Sequence, residues 1–425
     1  NPWLALGGAI AYGFASYLFV SLSAGHNTKA YAMAYMAPVV GSVIYAFRKH
    51  ALTGGILFAL FMSLELMANH FQITYYTGMI VLVFGIFELV DAIKRKTIPS
   101  FLKTLGILVV AALIAFSVNF ASLYSTWEYG KESTRGKSEL TKAGDTNETG
   151  LDKEYITQWS YGIDESLTFL IPNFRGGATA PFSNDSETVK TLRKNNMGQA
   201  QGQLFRYWGK QPSTSGPVYF GAVVLFLFIL GLLIVKGREK WWILTAVLLS
   251  LFLSWGKNFM PLTSLFIDFF PGYDKFRAVS MTLVIAGVCV PLLAVLALNA
   301  IMEGTVLKEK ALKSLLTAAL ITGGLAFIFF LLPGLAGSFL RPDEQSLPDS
   351  LSWLRDAMIA DRKTMVRADA LRSLVLISGG AALIWYFLKE KIKLRYFLIG
   401  LPLLFLIDQI PVSARYLGAS NFEPR

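Results

Sequence analysis

The stretch "LVIAGVCVPLLAVLALNA", residues 283–300, is apolar at nearly every position. Runs of similar length recur along the chain, and each is long enough to cross a hydrocarbon layer of about 30 Å as a helix. A membrane-spanning β-strand would instead alternate apolar and polar residues over about 10 positions. The pattern therefore predicts transmembrane helices rather than a barrel.

The composition agrees with this prediction. The 425 residues are 54% hydrophobic, 14% aromatic and only 16% charged, and the mean hydropathy is +0.50. This apolar content exceeds what one soluble core needs. We therefore expect an all-α polytopic integral membrane protein with about eleven transmembrane helices. The predicted spans are residues 3–22, 31–47, 52–69, 74–92, 102–122, 217–235, 241–255, 278–302, 314–337, 371–388 and 396–410.

Basic residues indicate the orientation of these spans. Clusters of Lys and Arg fall at every second junction, as expected if those junctions are cytoplasmic. The net charge of +11 and the pI near 9.5 follow largely from these clusters, so we do not predict nucleic-acid binding. The basic junctions are residues 48–50, 94–96, 236–240, 308–313 and 389–395.

The same topology places two long polar segments, 123–216 and 338–370, outside the cytoplasm. It predicts five regions along the chain. They are an N-terminal bundle of about five helices (1–122), an extracytoplasmic loop domain (123–216), a central bundle with a re-entrant segment at 258–270 (217–337), a second extracytoplasmic loop (338–370), and a C-terminal helix pair followed by the start of an outward segment (371–425). Because the chain opens directly into a span, the sequence is expected to be an internal fragment of a longer chain.

Metal and disulfide chemistry have little basis in the sequence. Cys289 is the only cysteine and lies within an apolar span, so it cannot form an intrachain disulfide or a thiolate metal site. The three histidines lack the H-E-x-x-H spacing of a zinc site. No cofactor or metal site is predicted, and a divalent metal requirement stays open.

Polar groups gather at the outward ends of several spans. Lys275 and Arg277 precede a long apolar span on the side where the positive-inside rule does not favour cations. Snorkelling to lipid phosphates would explain any one of them. Their repetition instead favours an outward cavity that holds a phosphate or pyrophosphate. The predicted members are His26, Lys29, His70, Arg135, Lys257, Lys275 and Arg277.

The long loop 123–216 offers further candidates. Arg135 and Lys137 have aromatic neighbours, an arrangement that suits an anionic, ring-bearing ligand such as a sugar phosphate. Trp159 and Tyr161 could stack on a sugar. The alternative is a solvated loop with internal ion pairs.

Three carboxylates are candidates for a catalytic base. Asp164 and Glu165 are adjacent in the loop and could accept a proton or a hydrogen bond from a hydroxyl group. Glu65 lies inside a span about one turn from His70, where an ionisable residue is a functional candidate by default. The alternative for Glu65 is a hydrogen bond between helices.

Several blocks resemble the YfhO-type bacterial membrane proteins, in the form found in Bacteroidetes. The resemblance covers essentially the whole chain. The blocks are "GHNTKAYAMAYMAP" (25–38), "ANHFQITYY" (68–76), "STRGKSELT" (133–141), "QWSYGIDESLTFLIPNF" (158–174), "YWGKQPSTSGPVY" (207–219), "LSWGKNF" (253–259), "PGYDKFRAVSM" (271–281) and "DQIPVSARYLGASNF" (408–422).

That family resembles the C-type (GT-C) glycosyltransferases, which transfer a sugar from a polyprenyl-phosphate donor to an acceptor outside the cytoplasmic membrane. The resemblance implies a multi-pass protein of the bacterial cytoplasmic membrane with a cell-envelope glycan or glycolipid as acceptor. The usual catalytic Asp of that class would lie upstream of this chain. The positions that match family blocks on the outward face are His26, Lys29, His70, Gln72, Arg135, Lys137, Lys275 and Arg277.

Two other functions fit the same features. A flippase or transporter of a lipid-linked saccharide needs the cationic cavity but no base, and such proteins commonly contain broken helices. A non-catalytic assembly protein of the envelope would use the large outward loop to hold a partner, and its activity would not depend on lipid phosphate.

Overall fold

The structure, a computed structural model, describes residues 1–133 and 151–422. These residues form helices and connecting loops, together with an isolated antiparallel bridge between Pro181 and Phe205. In chain order, the α-helices of the described residues are α1 (Pro2–Gly13), α2 (Ser16–Ser23), α3 (Asn27–Arg48), α4 (Ala51–Met67), α5 (Phe71–Lys94), α6 (Ile98–Val118), α7 (Phe120–Lys131), α8 (Lys153–Thr157), α9 (Glu187–Lys194), α10 (Ala222–Ile234), α11 (Glu239–Ser254), α12 (Met260–Phe269), α13 (Leu283–Met302), α14 (Lys308–Leu331), α15 (Pro342–Gln345), α16 (Ser352–Leu388) and α17 (Leu394–Ser413).

Within these ranges, seven helices are long and apolar enough to cross a bilayer: α3, α5, α6, α13, α14, α16 and α17. Counting each bent pair as one span raises the number to nine; the pairs are α1 with α2, and α11 with Gly256–Phe269. Helices α4 and α10 are apolar but shorter. The described chain is therefore all-helical with the architecture of a multi-pass membrane protein. The number of about eleven spans stays a prediction.

Helix α10 begins later than the predicted span 217–235 because the preceding residues are extended. Gly221 has a φ of 102°, which ends the extended segment, and α10 starts at Ala222. The amide of Ala222 donates to the Tyr219 hydroxyl at 2.9 Å, and that of Val223 donates to Asp408 Oδ2 at 2.9 Å. Side chains thus satisfy the first amides of the helix, which allows it to begin at this point.

A sharp bend separates α11 from α12. The two arms meet at 113°, and Gly256 at the bend has a φ of 47°. A Cβ atom there would lie 2.1 Å from Ser160 Oγ, so no larger side chain fits without displacement. The predicted re-entrant segment 258–270 corresponds to α12, and a bend of this size is what a re-entrant or interfacial helix requires.

Chain contacts group the residues into two compact units, each built from segments that are separated in the sequence. Unit 1 contains Asn1–Gly25, Gly162–Lys240 and Val290–Arg425. Unit 2 contains His26–Tyr161 and Trp241–Cys289.

In unit 1, the long helix α16 packs against α9, α10, α14 and α17. The segment 338–370 was predicted to be a loop, but α16 starts at Ser352 and continues without interruption into the predicted span 371–388. Its N-terminal part packs on the other long polar segment. The contact is an apolar cluster of Phe182, Val189, Leu192, Leu354 and Met358.

In unit 2, α3, α4, α5 and α6 form a bundle. Helices α3 and α5 run in the same direction because α4 returns the chain between them. Arg48 and Glu88 form an ion pair of 2.6 Å towards the C-terminal ends of these two helices. With 22 residues, α3 extends about 33 Å, so its N-terminal end lies a full bilayer core away from this pair.

Candidate functional site

Four predicted site residues come together at one end of unit 2, and we call them the cationic cluster: His26, Lys29, His70 and Arg277. His26 and His70 immediately precede α3 and α5, and Lys29 lies in the first turn of α3. Arg277 lies in the loop between α12 and α13. The N-terminal ends of α3 and α5 add partial positive charge to the same region.

The histidines of the cluster respond to the neighbouring charges. Burial is the main cause that lowers the pKa of His70 to about 4, with smaller contributions from Lys29 and His26. The pKa of His26 is also lowered by burial, and further by Lys29 and Arg277. Both rings are therefore neutral at neutral pH. Among the described residues, His70 Nδ1 is buried without a hydrogen-bond partner.

The backbone and an aromatic ring position Arg277. Its carbonyl oxygen accepts a hydrogen bond of 2.7 Å from Gln72 Nε2, and Gln72 Nε2 also donates to the Tyr76 hydroxyl at 2.8 Å. Its Nη1 donates to the Tyr155 hydroxyl at 2.6 Å. The guanidinium is exposed, whereas Lys29 is only 5% exposed. The site thus contains the accessible guanidinium of Arg277 and the buried ammonium group of Lys29.

Sequence reasoning included Gln72 in this site but missed Tyr155. Tyr155 lies 122 positions before Arg277 in the sequence, and no local pattern connects the two residues. The backbone after Arg277 also matters, because Ala278 adopts the left-handed conformation with a φ of 59° and its amide donates to the Ile156 carbonyl at 3.1 Å. This hydrogen bond holds the Arg277 loop against the segment that carries Tyr155.

Glu65 lies deeper along the same bundle. It is fully buried in α4, and one carboxylate oxygen accepts a hydrogen bond of 2.6 Å from the Thr77 hydroxyl of α5. The Thr74 side chain of α5 also interacts with the carboxylate. The helix-to-helix hydrogen bond weighed from the sequence is therefore present.

The other predicted binding residues of unit 2 lie in different environments. Lys257 is exposed, and Lys275 forms an ion pair of 3.1 Å with Asp274. Trp159 is half-buried, and its carbonyl oxygen accepts from the Ser280 amide at 3.2 Å. Lys275 therefore carries its own counter-charge, which weakens it as a phosphate ligand.

Tyr161 does not have the exposure that stacking on a sugar requires. It is 2% exposed. Its amide donates to the Ser254 carbonyl at 2.8 Å, and its carbonyl oxygen accepts from Asn258 Nδ2 at 2.8 Å. These bonds hold the residue inside the bend between α11 and α12. Arg135 and Lys137 lie outside the described residues.

The predicted acid pair belongs to unit 1. Glu165 is 2% exposed, and its Oε1 accepts from the Tyr207 hydroxyl at 2.9 Å and from Gln211 Nε2 at 3.0 Å. Its Oε2 accepts from the Gly162 amide at 3.1 Å. Burial raises the pKa of the Glu165 carboxyl, while these hydrogen bonds and the charge of Arg175 oppose the rise. These contacts give Glu165 a structural role.

Asp164 also has a partner. Its carboxylate forms an ion pair with Arg175, whose guanidinium carbon lies 3.9 Å from the centre of the Trp208 ring. Burial lowers the pKa of Arg175, and the charges of Asp164 and Glu165 counteract this effect. Arg175 also donates to the Ala336 carbonyl oxygen at 3.0 Å. Asp164 thus helps to hold a buried arginine that joins two loop segments.

Unit 1 contains two ion pairs with buried carboxylates that the sequence did not reveal. Arg362 is fully buried and donates to both carboxylate oxygens of Glu344, at 2.6 and 2.7 Å. Arg415 forms a similar two-bond pair with Asp369, at 2.7 Å each. Because each charge has a partner within its own unit, these pairs are structural.

In the described part of the chain, no group of three or more His, Cys, Asp or Glu side chains is arranged to hold a metal ion. No protein-family model, curated protein or solved structure matches the chain.

Proposed function

We propose that the chain binds the phosphate of a polyprenyl-linked sugar at the cationic cluster and transfers the sugar to an acceptor of the cell envelope. The observation that carries the proposal is the convergence of Lys29, Arg277 and two neutral histidines at one end of unit 2. A guanidinium and an ammonium are the groups that bind phosphate best in proteins, and neutral imidazoles can donate further hydrogen bonds.

The position of the cluster favours a lipid-linked donor. Next to it, Tyr31 is 63% exposed near the start of α3, and Met67 is 65% exposed at the end of α4. Exposed apolar side chains at the end of a transmembrane bundle suit an acyl or prenyl chain. The Arg48–Glu88 pair and the basic junctions at 48–50 and 94–96 lie at the opposite end of the bundle. By the positive-inside rule, the cluster then faces outward.

The transfer step would be a direct displacement at the anomeric carbon. The acceptor hydroxyl forms the new glycosidic bond, the bond from the sugar to the donor phosphate breaks, and the phosphate leaves with the electron pair. A carboxylate accepts the hydroxyl proton, and the configuration at the anomeric carbon inverts. Arg277 and Lys29 stabilise the charge that develops on the leaving phosphate. Among the three candidate bases, Glu65 is favoured because it lies in the same bundle as the cationic cluster, whereas Asp164 and Glu165 have partners in unit 1.

A flippase or transporter of a lipid-linked saccharide is the second candidate. The observation that favours it is the pair of broken helices, α1 with α2 at 40° and α11 with Gly256–Phe269 at 113°. Transporters commonly place their substrate sites at such breaks. A flippase would use the same cationic cluster without breaking the sugar-phosphate bond.

The test uses the full-length protein in detergent with a radiolabelled polyprenyl-phosphate sugar. Release of label into the aqueous phase measures hydrolysis or transfer, and retention on the protein measures binding. We expect Arg277→Ala to abolish most of both signals. Lys310→Ala removes one positive charge from the basic junction 308–313 and should change neither.

Each result has a clear meaning. Release that depends on Arg277 supports the glycosyltransferase. Binding that depends on Arg277 without release supports the flippase and overturns the enzymatic proposal. Equal effects of Arg277→Ala and Lys310→Ala, or no binding by the wild-type protein, would overturn the phosphate site and leave a non-catalytic assembly role.

A further inference from the structure

A cavity lies in unit 1, where the connection from α13 to α14 meets the connection from α16 to α17. Its volume is about 530 Å³. Ile301, Val306, Phe387 and Ile392 contribute an apolar wall. The apolar wall suits a hydrocarbon chain, and the lysines around it suit an anionic headgroup.

The charge around the cavity is mainly positive. Lys308, Lys391 and Lys393 line it, and Glu390 is the acidic residue among the described lining residues. Glu390 forms an ion pair of 2.7 Å with Lys308. The remaining two lysines are exposed, and they leave the cavity with an excess of two positive charges beside its apolar wall.

Exposed aromatic residues indicate the depth of the cavity. Trp385 and Tyr386 directly precede the lining residue Phe387, Tyr396 follows Lys393 by three positions, and they are 39%, 45% and 52% exposed. Tryptophan and tyrosine are enriched where the hydrocarbon layer meets the headgroups. Leu307, directly before Lys308, is 80% exposed, as expected for a side chain that faces lipid. The cavity therefore lies at the level of phospholipid headgroups.

We propose that this cavity binds one anionic phospholipid. Its phosphate would lie between Lys391 and Lys393, and an acyl chain would follow the apolar wall formed by Ile301 and Val306. The lysines select negative charge, and the apolar wall selects a lipid over a soluble phosphate. This site is independent of the proposed function, because it lies in unit 1 and involves none of the residues of the cationic cluster.

The experiment measures lipid binding to the full-length protein by native mass spectrometry. Phosphatidylglycerol and phosphatidylcholine with identical acyl chains are titrated separately. The site variant combines Lys391→Gln with Lys393→Gln. The control variant combines Lys310→Gln with Lys389→Gln, which removes the same total charge at nearby positions that do not line the cavity. The site variant takes both charges from the junction 389–395, and the control takes one from each of the two junctions beside the cavity. Because all four lysines are exposed, both variants should fold, and thermal unfolding in detergent checks this.

We expect the wild-type protein and the control variant to bind phosphatidylglycerol more tightly than phosphatidylcholine. The site variant should lose roughly tenfold in phosphatidylglycerol affinity and bind the two lipids alike, because each lysine near an anionic headgroup contributes a several-fold preference. An equal loss in the control variant would overturn the proposal in favour of diffuse surface charge. Displacement of phosphatidylglycerol by millimolar inorganic phosphate would overturn the assignment of a lipid as the ligand.

Discussion

Gln72 Nε2 donates a 2.7 Å hydrogen bond to the backbone carbonyl oxygen of Arg277 and so connects the first turn of α5 to the loop that carries the guanidinium. Gln72→Ala should therefore displace Arg277 without removing any charge. We expect donor binding to weaken roughly five- to tenfold, since one hydrogen bond contributes about 1 kcal/mol. Equilibrium binding of the radiolabelled donor measures this effect.

The matched control for this variant is Gln158→Ala, an exposed glutamine in the same unit. It should bind the donor like the wild-type protein. If both variants bound as well as the wild type, the carbonyl contact would have no part in positioning Arg277.

Donor binding should become tighter as the pH falls from 8 to 5. In the free protein, the pKa of His70 is lowered to about 4, so its ring is neutral over this range, and the pKa of His26 is also lowered. A bound phosphate adds negative charge and raises both pKa values, so binding takes up protons. Each proton taken up can increase the affinity by as much as about tenfold per pH unit.

Binding isotherms measured across this pH range test the coupling. His70→Gln should reduce the slope of affinity against pH. His50→Gln, at the opposite end of the bundle, should leave the slope unchanged. A slope that is the same in all three proteins would show that His70 does not bind the proton.

The acid pair of unit 1 should respond to mutation as structural residues do. Glu165→Ala removes the acceptor for Tyr207, Gln211 and the Gly162 amide, and it should lower the free energy of unfolding by about 3 kcal/mol. Asp164→Asn should cost less, about 1 kcal/mol, because the Asp164 side chain is 49% exposed. Unfolding in mixed detergent micelles measures both values. Loss of sugar release in Asp164→Asn at unchanged stability and binding would instead identify Asp164 as the base.

Two arginines of α16, seven residues apart, should differ strongly in their effect on stability. Arg362→Met leaves Glu344 buried without its partner, and we expect a loss of about 3–5 kcal/mol. Arg355→Met breaks a pair with the fully exposed Asp349 and should cost less than about 1 kcal/mol. Chemical unfolding of the two variants checks this difference. Similar losses would show that the Glu344 pair adds nothing beyond the packing of the arginine stem.

The sequence predicted the helical membrane class well because apolar runs determine it directly. The boundaries of α16 were less predictable. Residues 352–370 are polar enough to be interpreted as a loop, yet they continue the helix because Leu354 and Met358 pack on Val189 and Leu192. The apolar run 3–22 did not reveal the break between α1 and α2. The division into two units was equally hidden, since it depends on contacts between distant segments.

The candidate site shows a similar limit. His26, Lys29, His70 and Arg277 could be grouped from the sequence because topology places them at the same end of their spans. The burial of Tyr161 could not be predicted, since it depends on hydrogen bonds with Ser254 and Asn258, which are far away in the sequence. Likewise, the sequence suggested Glu165 as a catalytic base because its hydrogen-bond partners could not be recognised. Tyr207 and Gln211 lie more than 40 positions away.

Helix α16 has 37 residues and is therefore about 56 Å long, nearly twice the thickness of the hydrocarbon layer. Its N-terminal part carries the buried Arg362, and its C-terminal end leads into the cavity beside Lys391. A helix of this length that tilts as a rigid body moves its two ends together. Tilting it by 10° about its centre would move each end by about 5 Å in opposite directions. A rearrangement of the segments around Arg362 would therefore change the shape of the cavity beside Lys391 without any change in the intervening helix.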